Sequence, residues 1–292
     1  MTTISLNPQT YRPAYPIWCA GCGHYGVQSA LQAALRRIGI PDHEVMILAG
    51  IGCSGTIQNN LGTYGYHAQH GRVLPAATGV ALSNPALTVV AAGGDGDGYA
   101  IGVGHLVHAF RRGTSFAYIV MNNETYGLTK GQHSPTRAVD FPSHVEAPLD
   151  AIALGLSIGT TSFVARGYSG WFDQLVELTV QALSHTRAKQ GFAFLEVISP
   201  CVTYQDSYPR WEHALYDVDA DPSYDSTDRA AAFELSTRLQ TEGRLPAGLI
   251  YRAAPTPILN TSDPVQSEID PSNLIDRYRE IMDGYAVRTD RA

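Results

Sequence analysis

The sequence of 292 residues has few charged side chains and no long apolar run. Only 16% of its residues are Asp, Glu, Lys or Arg, against about 25% in typical globular proteins. We therefore expect part of its surface to be buried against a partner. No apolar stretch approaches the roughly 18 residues of a membrane span, and the N-terminus lacks the basic and apolar regions of a secretory signal. These absences favour a cytoplasmic protein without a membrane span.

An excess of basic residues and a dense set of cysteines are also missing. The 20 Lys and Arg residues are outnumbered by 27 Asp and Glu residues, and the resulting net charge of −7 argues against nucleic acid or an anionic membrane as the main partner. Four cysteines are too few for the disulfide framework of a small secreted domain. In a reducing compartment these thiols stay free to hold metal.

Apolar runs alternate with helical patterns along the first two thirds of the chain. Runs without internal polar residues are typical of strands that are buried on both faces of a parallel sheet. Such runs occupy residues 45–52, 87–94, 115–123 and 191–200, with a further strand near 161–165. Helical periodicity lies between them and is clearest at 168–189. We predict an α/β fold with a doubly wound parallel sheet.

The character of the sequence changes near residue 204. The segment that follows is acidic and aromatic without a regular period, and after it we predict one helix over Arg229–Glu242 and a terminal helix near 272–283. We therefore expect two parts. Residues 1–203 would form the domain that carries the chemistry, and residues 204–292 would form a C-terminal extension for subunit contacts.

Two of the predicted strands end in oxygen-bearing side chains. The run 87–94 leads into Asp95 and Asp97, each flanked by glycines, and Asn123 ends the next run 28 residues after Asp95. Ligands of open parallel sheets bind at the carboxyl ends of the strands. Glycines let a phosphate approach the backbone, and a hard cation such as Mg²⁺ would bridge a diphosphate to Asp95. Either motif alone is more typical of an ordinary turn, but the two together favour a site.

This spacing resembles the thiamine diphosphate motif, in which GDG is followed by a later Asn. Longer matches cover about residues 12–210, and over that span the chain resembles the β subunit of the 2-oxoacid:ferredoxin oxidoreductases. The matching stretches are WCAGCGHYGV (18–27), GIGCSG (50–55), HGRVLPAATG (70–79), GDGDGYAIGVGHLVHAFRRG (94–113), NNETYGLTKGQHSPTR (122–137) and SPCVTY (199–204).

The resemblance implies a site for Mg²⁺ and thiamine diphosphate. Mg²⁺ would be held by Asp95, by the side chain of Asn123 and by a backbone oxygen of Thr125. The residues implied to contact the cofactor are Gly96, Asp97, Gly127 and Leu128 at its diphosphate, and Ile51, Gly52, Cys53 and Ser54 at its ring side.

The cysteines are Cys19, Cys22, Cys53 and Cys201. The pair Cys19–Cys22 alone is also compatible with a thioredoxin-type redox pair, but the segment before it is a poor strand. Structural zinc would usually show a second close pair of ligands, and inert buried cysteines remain a further alternative. Four thiols are the number that a [4Fe–4S] cluster requires. The resemblance implies one such cluster on all four cysteines.

The activity that the resemblance implies is the oxidative decarboxylation of a 2-oxoacid to CO₂ and an acyl-coenzyme A, or the reverse carboxylation. Electrons would pass through the [4Fe–4S] cluster to ferredoxin. Thiamine enzymes need a glutamate against the pyrimidine ring of the cofactor, and the resemblance implies that a partner α subunit provides it. The low content of charged residues agrees with an obligate α subunit, so we expect the isolated chain to be inactive.

Signals for the substrate are weaker. His70, together with His67, lies at the family's position for substrate contacts, and Lys130 could face a substrate carboxylate or a coenzyme A phosphate. Either side chain could equally be a structural or solvated loop residue.

Thr56 stands where the family often has a basic residue. The tract 59–72 resembles the 2-oxoglutarate type more than the pyruvate type. Alternatives are a pyruvate-specific or broad-specificity enzyme and, more distantly, a non-redox thiamine diphosphate-dependent decarboxylase.

Overall fold

A sheet of eight strands forms the centre of the computed structural model, which describes residues 15–139, 144–254 and 274–285. The strands are β1 (Val45–Ala49), β2 (Tyr64–His67), β3 (Thr88–Gly94), β4 (Ala117–Asn122), β7 (Phe163–Tyr168), β8 (Ala193–Ile198), β9 (Leu215–Asp217) and β10 (Leu245–Arg252), while β5 (Thr125–Tyr126) and β6 (Gln132–His133) form a separate small hairpin.

The order of strands across the sheet is β2-β1-β3-β4-β8-β7-β10-β9. The first six pair in parallel, whereas β10 runs antiparallel to β7. Parallel neighbours need a crossover connection, and helices provide it here. The predicted α/β fold with a mostly parallel sheet is confirmed.

Helices cover both faces of the sheet because each central strand is apolar on both sides. Along β1, Ile47 packs into one hydrophobic cluster and Leu48 into the other, as the two-residue period of a strand requires. The helices are α1 (His24–Ile38) and α5 (Phe172–Arg187) on the first face, α2 (Val73–Ser83), α3 (Val103–Arg112), α4 (Ala151–Leu156) and α7 (Arg229–Thr241) on the second, and also α6 (Tyr208–Ala214) and α8 (Leu274–Tyr285).

Helix ends follow local sequence signals. α1 ends at Gly39, whose φ of 72° lets its N–H bond back to the carbonyls of Leu35 and Arg36. α7 begins after Asp228, whose carboxylate accepts hydrogen bonds from the N–H groups of Ala230 and Ala231. Within the described residues, no helix is long and apolar enough to cross a membrane.

The residues after 203 contribute two strands to the sheet. β10 pairs with β7, and β9 pairs in parallel with β10. The sequence analysis predicts neither strand: β9 has only three residues within the acidic and aromatic segment, and β10 lies in the stretch after residue 242 that its prolines suggest to be a link. By its internal packing the chain divides between residues 258 and 259, and α8 is the described part of the second unit. The division into residues 1–203 and 204–292 stays a prediction. The composition of residues 1–25, rich in Pro, Tyr and Gly, predicts an irregular lead-in, of which residues 1–14 lie outside the described residues. Residues 272 and 273 of the predicted terminal helix also lie outside them.

The buried side chain of His185 makes the free energy of unfolding depend on pH. His185 of α5 is only 5% exposed, and its Nε2 lies 3.0 Å from the hydroxyl oxygen of Ser162. Burial and, after it, the positive charge of Arg252 lower the pKa of His185 to about 4. In the unfolded chain its pKa returns to about 6.5.

We predict that His185→Gln makes the stability of the protein less dependent on pH. A histidine with a lowered native pKa stabilises the fold fully above pH 6.5, and this contribution falls as the pH drops from 6.5 towards 4, where protonation favours the unfolded state. The wild type should therefore lose up to about 3 kcal/mol more than the variant between pH 7 and pH 4. Urea unfolding across this range measures the difference, and parallel curves for the two proteins would refute the prediction.

Candidate active site

Five parallel strands end at one edge of the sheet, and each is followed by residues that the sequence analysis singled out. Parallel neighbours bring their carboxyl ends together, so segments far apart in the sequence meet there. These segments are Ile51, Gly52, Cys53 and Ser54 after β1, His70 after β2, Asp95, Gly96 and Asp97 after β3, Asn123 and Thr125 after β4, and Cys201 after β8.

A cavity of about 360 Å³ opens at this edge of the sheet. It is lined by every residue implied for Mg²⁺ or for thiamine diphosphate, and by His70. We call it the cofactor cavity. The predicted residues in its lining are Ile51, Gly52, Cys53, Ser54, His70, Asp95, Gly96, Asp97, Asn123, Thr125, Gly127 and Leu128.

Asp95 is the most deeply buried carboxylate of the cofactor cavity, with 1% exposure. The hydroxyls of Ser134 and Thr136 both contact its Oδ2, Thr136 at 2.5 Å. Burial nevertheless raises the pKa of Asp95 to about 6, because these hydrogen bonds offset only part of the desolvation. A cation beside Asp95 would favour its charged form.

Asn123 and Thr125 offer oxygen ligands near Asp95. Both residues are buried, and the Thr125 N–H donates to Asn123 Oδ1 over 3.2 Å, which fixes the amide. Carboxylate, amide and carbonyl oxygens are the donor types that Mg²⁺ accepts in proteins. The chemistry of this donor set therefore fits Mg²⁺.

Asp97 connects three loops of the site. Its Oδ1 accepts hydrogen bonds from the N–H groups of Ile51 and Gly71, each over 2.8 Å, and lies 3.2 Å from His70 Nδ1. Burial raises the pKa of Asp97, while the hydrogen bonds from Ile51 and Gly71 lower it. The segments after β1 and β2 are thus tied to the segment after β3.

At Gly50 and Gly96 any side chain larger than hydrogen would collide with a neighbouring side chain of the site. A Cβ on Gly50 would lie 1.9 Å from Asp97 Oδ2, and one on Gly96 would lie 2.3 Å from Tyr126 Cε1. The Tyr126 hydroxyl donates to the Gly96 carbonyl over 3.2 Å, so ring and backbone stay in close contact. Glycine at these two positions therefore lets the Asp97 carboxylate and the Tyr126 ring pack directly against the backbone.

All four cysteines line a second cavity of about 280 Å³, which we call the cysteine cavity. It shares four wall residues with the cofactor cavity, namely Cys53, Asn123, Gly127 and Leu128. Within the described residues, no three His, Cys, Asp or Glu side chains come close enough together to hold a metal ion. The thiols therefore surround a space rather than meet at one point. In number and type they fit a [4Fe–4S] cluster.

Hydrogen bonds to backbone carbonyls join the segments of the chain that carry the cysteines. The Gly23 N–H donates to the Pro200 carbonyl over 3.1 Å, and Trp18 Nε1 donates to the Cys53 carbonyl over 2.7 Å. Burial, together with the smaller effects of the neighbouring thiols of Cys201, Cys53 and Cys19, raises the pKa of Cys22 to about 11, although a hydrogen bond with the His24 backbone lowers it in part. Metal binding to these thiols would therefore release protons.

The two residues predicted to contact substrate line different cavities. His70 lies in the wall of the cofactor cavity, whereas Lys130, at a φ of 80°, lies in the wall of the cysteine cavity. His67 lies on β2, where every residue is exposed. The structure therefore does not bring His70 and Lys130 together at one point.

His24 is a cavity residue that the sequence analysis did not single out. It is buried in the wall of the cofactor cavity, its Nδ1 lies 2.6 Å from the Ser199 hydroxyl, and Trp18 packs edge-on against it. Burial lowers the pKa of His24 to about 4, so the ring is neutral near pH 7. Its position two residues after Cys22 was the signal available in the sequence.

Comparison with known proteins adds two family matches. Residues 50–197 match the thiamine pyrophosphate enzyme C-terminal TPP binding domain. Residues 201–268 match the C-terminal part of the pyruvate ferredoxin oxidoreductase β subunit. The first range contains the cofactor cavity apart from His24.

Whole-chain relatives agree with these matches. The chain is 37% identical over 274 residues to the 2-oxoacid:ferredoxin oxidoreductase subunit β of Saccharolobus solfataricus, covering 88% of this chain and 87% of the relative. It is 37% identical over 200 residues to the 2-oxoglutarate synthase subunit KorB of Archaeoglobus fulgidus, covering 66% and 72%. A solved 2-oxoglutarate:ferredoxin oxidoreductase from Magnetococcus marinus, with 2-oxoglutarate, coenzyme A and succinyl-CoA bound, superimposes with a TM-score of 0.82 at 31% identity, over 98% of this chain and 94% of that chain.

We predict that Gly50→Ala destabilises the protein by about 1–3 kcal/mol, because the added methyl group must displace the Asp97 carboxylate. Gly79→Ala is the matched control. Gly79 lies inside α2 with nothing within 4 Å of an added Cβ, so alanine should stabilise this helix by about 0.5–1 kcal/mol. Thermal unfolding of both variants measures the effects, and equal shifts would contradict the close packing of Gly50 on Asp97.

Proposed function

The chain belongs to the β subunits of the 2-oxoacid:ferredoxin oxidoreductases, and we propose that it serves an enzyme of the 2-oxoglutarate type. The reaction is the coenzyme A-dependent oxidative decarboxylation of 2-oxoglutarate to succinyl-coenzyme A and CO₂, or the reverse carboxylation, with ferredoxin as electron partner. Support comes from the KorB relative and from the Magnetococcus marinus structure, which holds 2-oxoglutarate and coenzyme A.

The observation that carries the proposal is the wall shared by the two cavities. Cys53, Asn123, Gly127 and Leu128 line both, so a cofactor in the first cavity and a cluster in the second would be neighbours. A thiamine enzyme without redox chemistry has no need of four cysteines around an adjoining cavity. This favours the oxidoreductase over the non-redox decarboxylase.

The cofactor cavity would hold Mg²⁺ and thiamine diphosphate. Asp95, Asn123 and Thr125 supply oxygen ligands, Gly96, Asp97, Gly127 and Leu128 surround the diphosphate, and Ile51, Gly52, Cys53 and Ser54 line the ring side. Thiamine diphosphate, when bound, supplies the electron sink for decarboxylation. The protein orients this group and shields it from water, since its ligands are buried at the strand ends.

The cysteine cavity would hold one [4Fe–4S] cluster on Cys19, Cys22, Cys53 and Cys201. Lys130 lines the same cavity, where its ammonium group could face a substrate carboxylate or a coenzyme A phosphate. His70, close to Asp97, is the candidate for substrate contact in the cofactor cavity. Thr56, where the family often has a basic residue, lines neither cavity, and its hydroxyl donates to the Cys53 carbonyl over 2.9 Å.

The α subunit would complete the site. Two exposed apolar side chains, those of Ile51 and Leu128, lie in the wall of the cofactor cavity. Together with the low content of charged residues, they support a face that a second subunit covers. We place the complex in the cytoplasm, where reduced thiols and ferredoxin are available.

The cluster is tested by the visible spectrum of protein purified without oxygen. We expect a brown protein that bleaches with dithionite and contains about four iron atoms per chain. Cys201→Ser should remove most of the colour, whereas Thr203→Ala, in the wall of the same cavity, should keep it. A colourless wild type with one zinc ion per chain would refute the cluster.

The reaction is tested with the chain co-purified with its α subunit. We expect viologen or ferredoxin reduction with 2-oxoglutarate and coenzyme A, at a kcat/KM at least about tenfold above that with pyruvate. The chain without the α subunit should show no activity. A preference for pyruvate would replace the substrate assignment, and decarboxylation without electron transfer would overturn the oxidoreductase.

A further inference from the structure

Glu124 lies between two of the proposed Mg²⁺ ligands but faces away from them. Asn123 and Thr125 line the cofactor cavity, whereas Asn122 and Glu124 line a third cavity of about 290 Å³. The third cavity shares no lining residue with the other two. Residues 122–125, at the end of β4 and directly after it, therefore face the third cavity and the cofactor cavity in alternation.

The backbone at Glu124 is in a conformation that side chains disfavour. Its φ is 59°, in the left-handed region that glycine or asparagine usually occupies. A return of Glu124 to a negative φ would rotate the peptide groups on both sides and so displace Asn123 and Thr125. Some interaction must hold the residue in place.

The Arg210 side chain supplies such an interaction to the Glu124 carboxylate, in addition to the hydrogen bond that the Glu124 N–H donates to Asn122 Oδ1 over 3.2 Å. Its Nη2 lies 2.6 Å from Glu124 Oε1, although the two residues are 86 positions apart in the sequence. The Glu124 side chain is 4% exposed and the Arg210 side chain 41%, and the Glu124 Oε2 atom has no partner of its own. The Arg210 guanidinium packs 3.9 Å from the ring centre of Trp211, which fixes its direction. A charged hydrogen bond to a buried carboxylate is among the stronger ones in proteins.

We propose that Arg210 is a positioning residue for the metal, and this rests on the proposed Mg²⁺ site. By holding the Glu124 carboxylate in the third cavity, Arg210 keeps the strained turn in which Asn123 and Thr125 face the cofactor cavity. Arg210 touches neither cavity that would contain the cofactor or the cluster. It acts only through Glu124.

The test is the Mg²⁺ concentration that half-saturates thiamine diphosphate binding, measured by titration calorimetry on the cofactor-stripped complex with the α subunit. Loss of a residue that orients metal ligands typically weakens metal binding by about 10–100-fold. We expect a rise of at least about tenfold for Arg210→Ala. Arg210→Lys, which keeps one donor, should restore much of the affinity.

Arg244→Ala is the matched control. Arg244 lines the same third cavity, but its guanidinium lies over the ring of Tyr216, 5.3 Å from the ring centre. This variant should bind Mg²⁺ as the wild type does. The melting temperature of each stripped complex is measured beside the titration: Arg210→Ala should lower it, because the buried Glu124 carboxylate loses its partner, whereas Arg210→Lys and Arg244→Ala should stay near the wild type. If Arg210→Ala does not fold, Glu124→Gln decides the matter: it should weaken Mg²⁺ binding, whereas Arg210→Lys should bind Mg²⁺ nearly as the wild type does.

The possible results distinguish a failure of this inference from a failure of the proposed function. Wild-type protein that binds thiamine diphosphate independently of Mg²⁺, or not at all, would overturn both. A wild type that depends on Mg²⁺ together with an unchanged Arg210→Ala variant would overturn the inference alone. Equal losses in Arg210→Ala and Arg244→Ala, or a Lys variant no better than Ala, would also overturn it, since a general effect on packing would then explain the result.

Discussion

Parallel pairing of β1, β3, β4 and β8 is the constraint on which the rest of the structure depends. It requires all four strands to end at one edge, so that a cysteine loop, two aspartates, an asparagine and a last cysteine meet although they span about 150 residues of sequence. Helices on both faces follow from the same constraint, because each strand is apolar on both sides.

The burial of titratable side chains at this edge of the sheet explains their shifted pKa values. Carboxylates, thiols and a histidine are buried there without a counter-charge of their own, and desolvation shifts their pKa values towards the neutral forms. Burial of these groups without a ligand lowers the stability of the protein, and binding of the proposed cations would raise it.

Sequence patterns predict the buried strands, the glycine–aspartate turn and the set of four cysteines, because apolar runs and residue spacing are local features of the sequence. They missed β2, whose Tyr-Gly-Tyr-His has no apolar run, the three-residue strand β9 and the eight-residue strand β10. They also missed the left-handed Glu124 and the buried pair of Arg166 and Glu196, joined over 2.6 Å. These features depend on partners distant in sequence, which no local pattern reveals.

The central claim is that a metal–diphosphate site and an iron–sulfur cluster share one wall. Diffraction at the iron absorption edge, from crystals of the complex with the α subunit grown with Mg²⁺ and thiamine diphosphate, tests it most directly. We expect anomalous iron density bound by Cys19, Cys22, Cys53 and Cys201, beside a diphosphate whose Mg²⁺ contacts Asp95. Iron elsewhere, or none in the cysteine cavity while the cofactor is bound, would contradict the account.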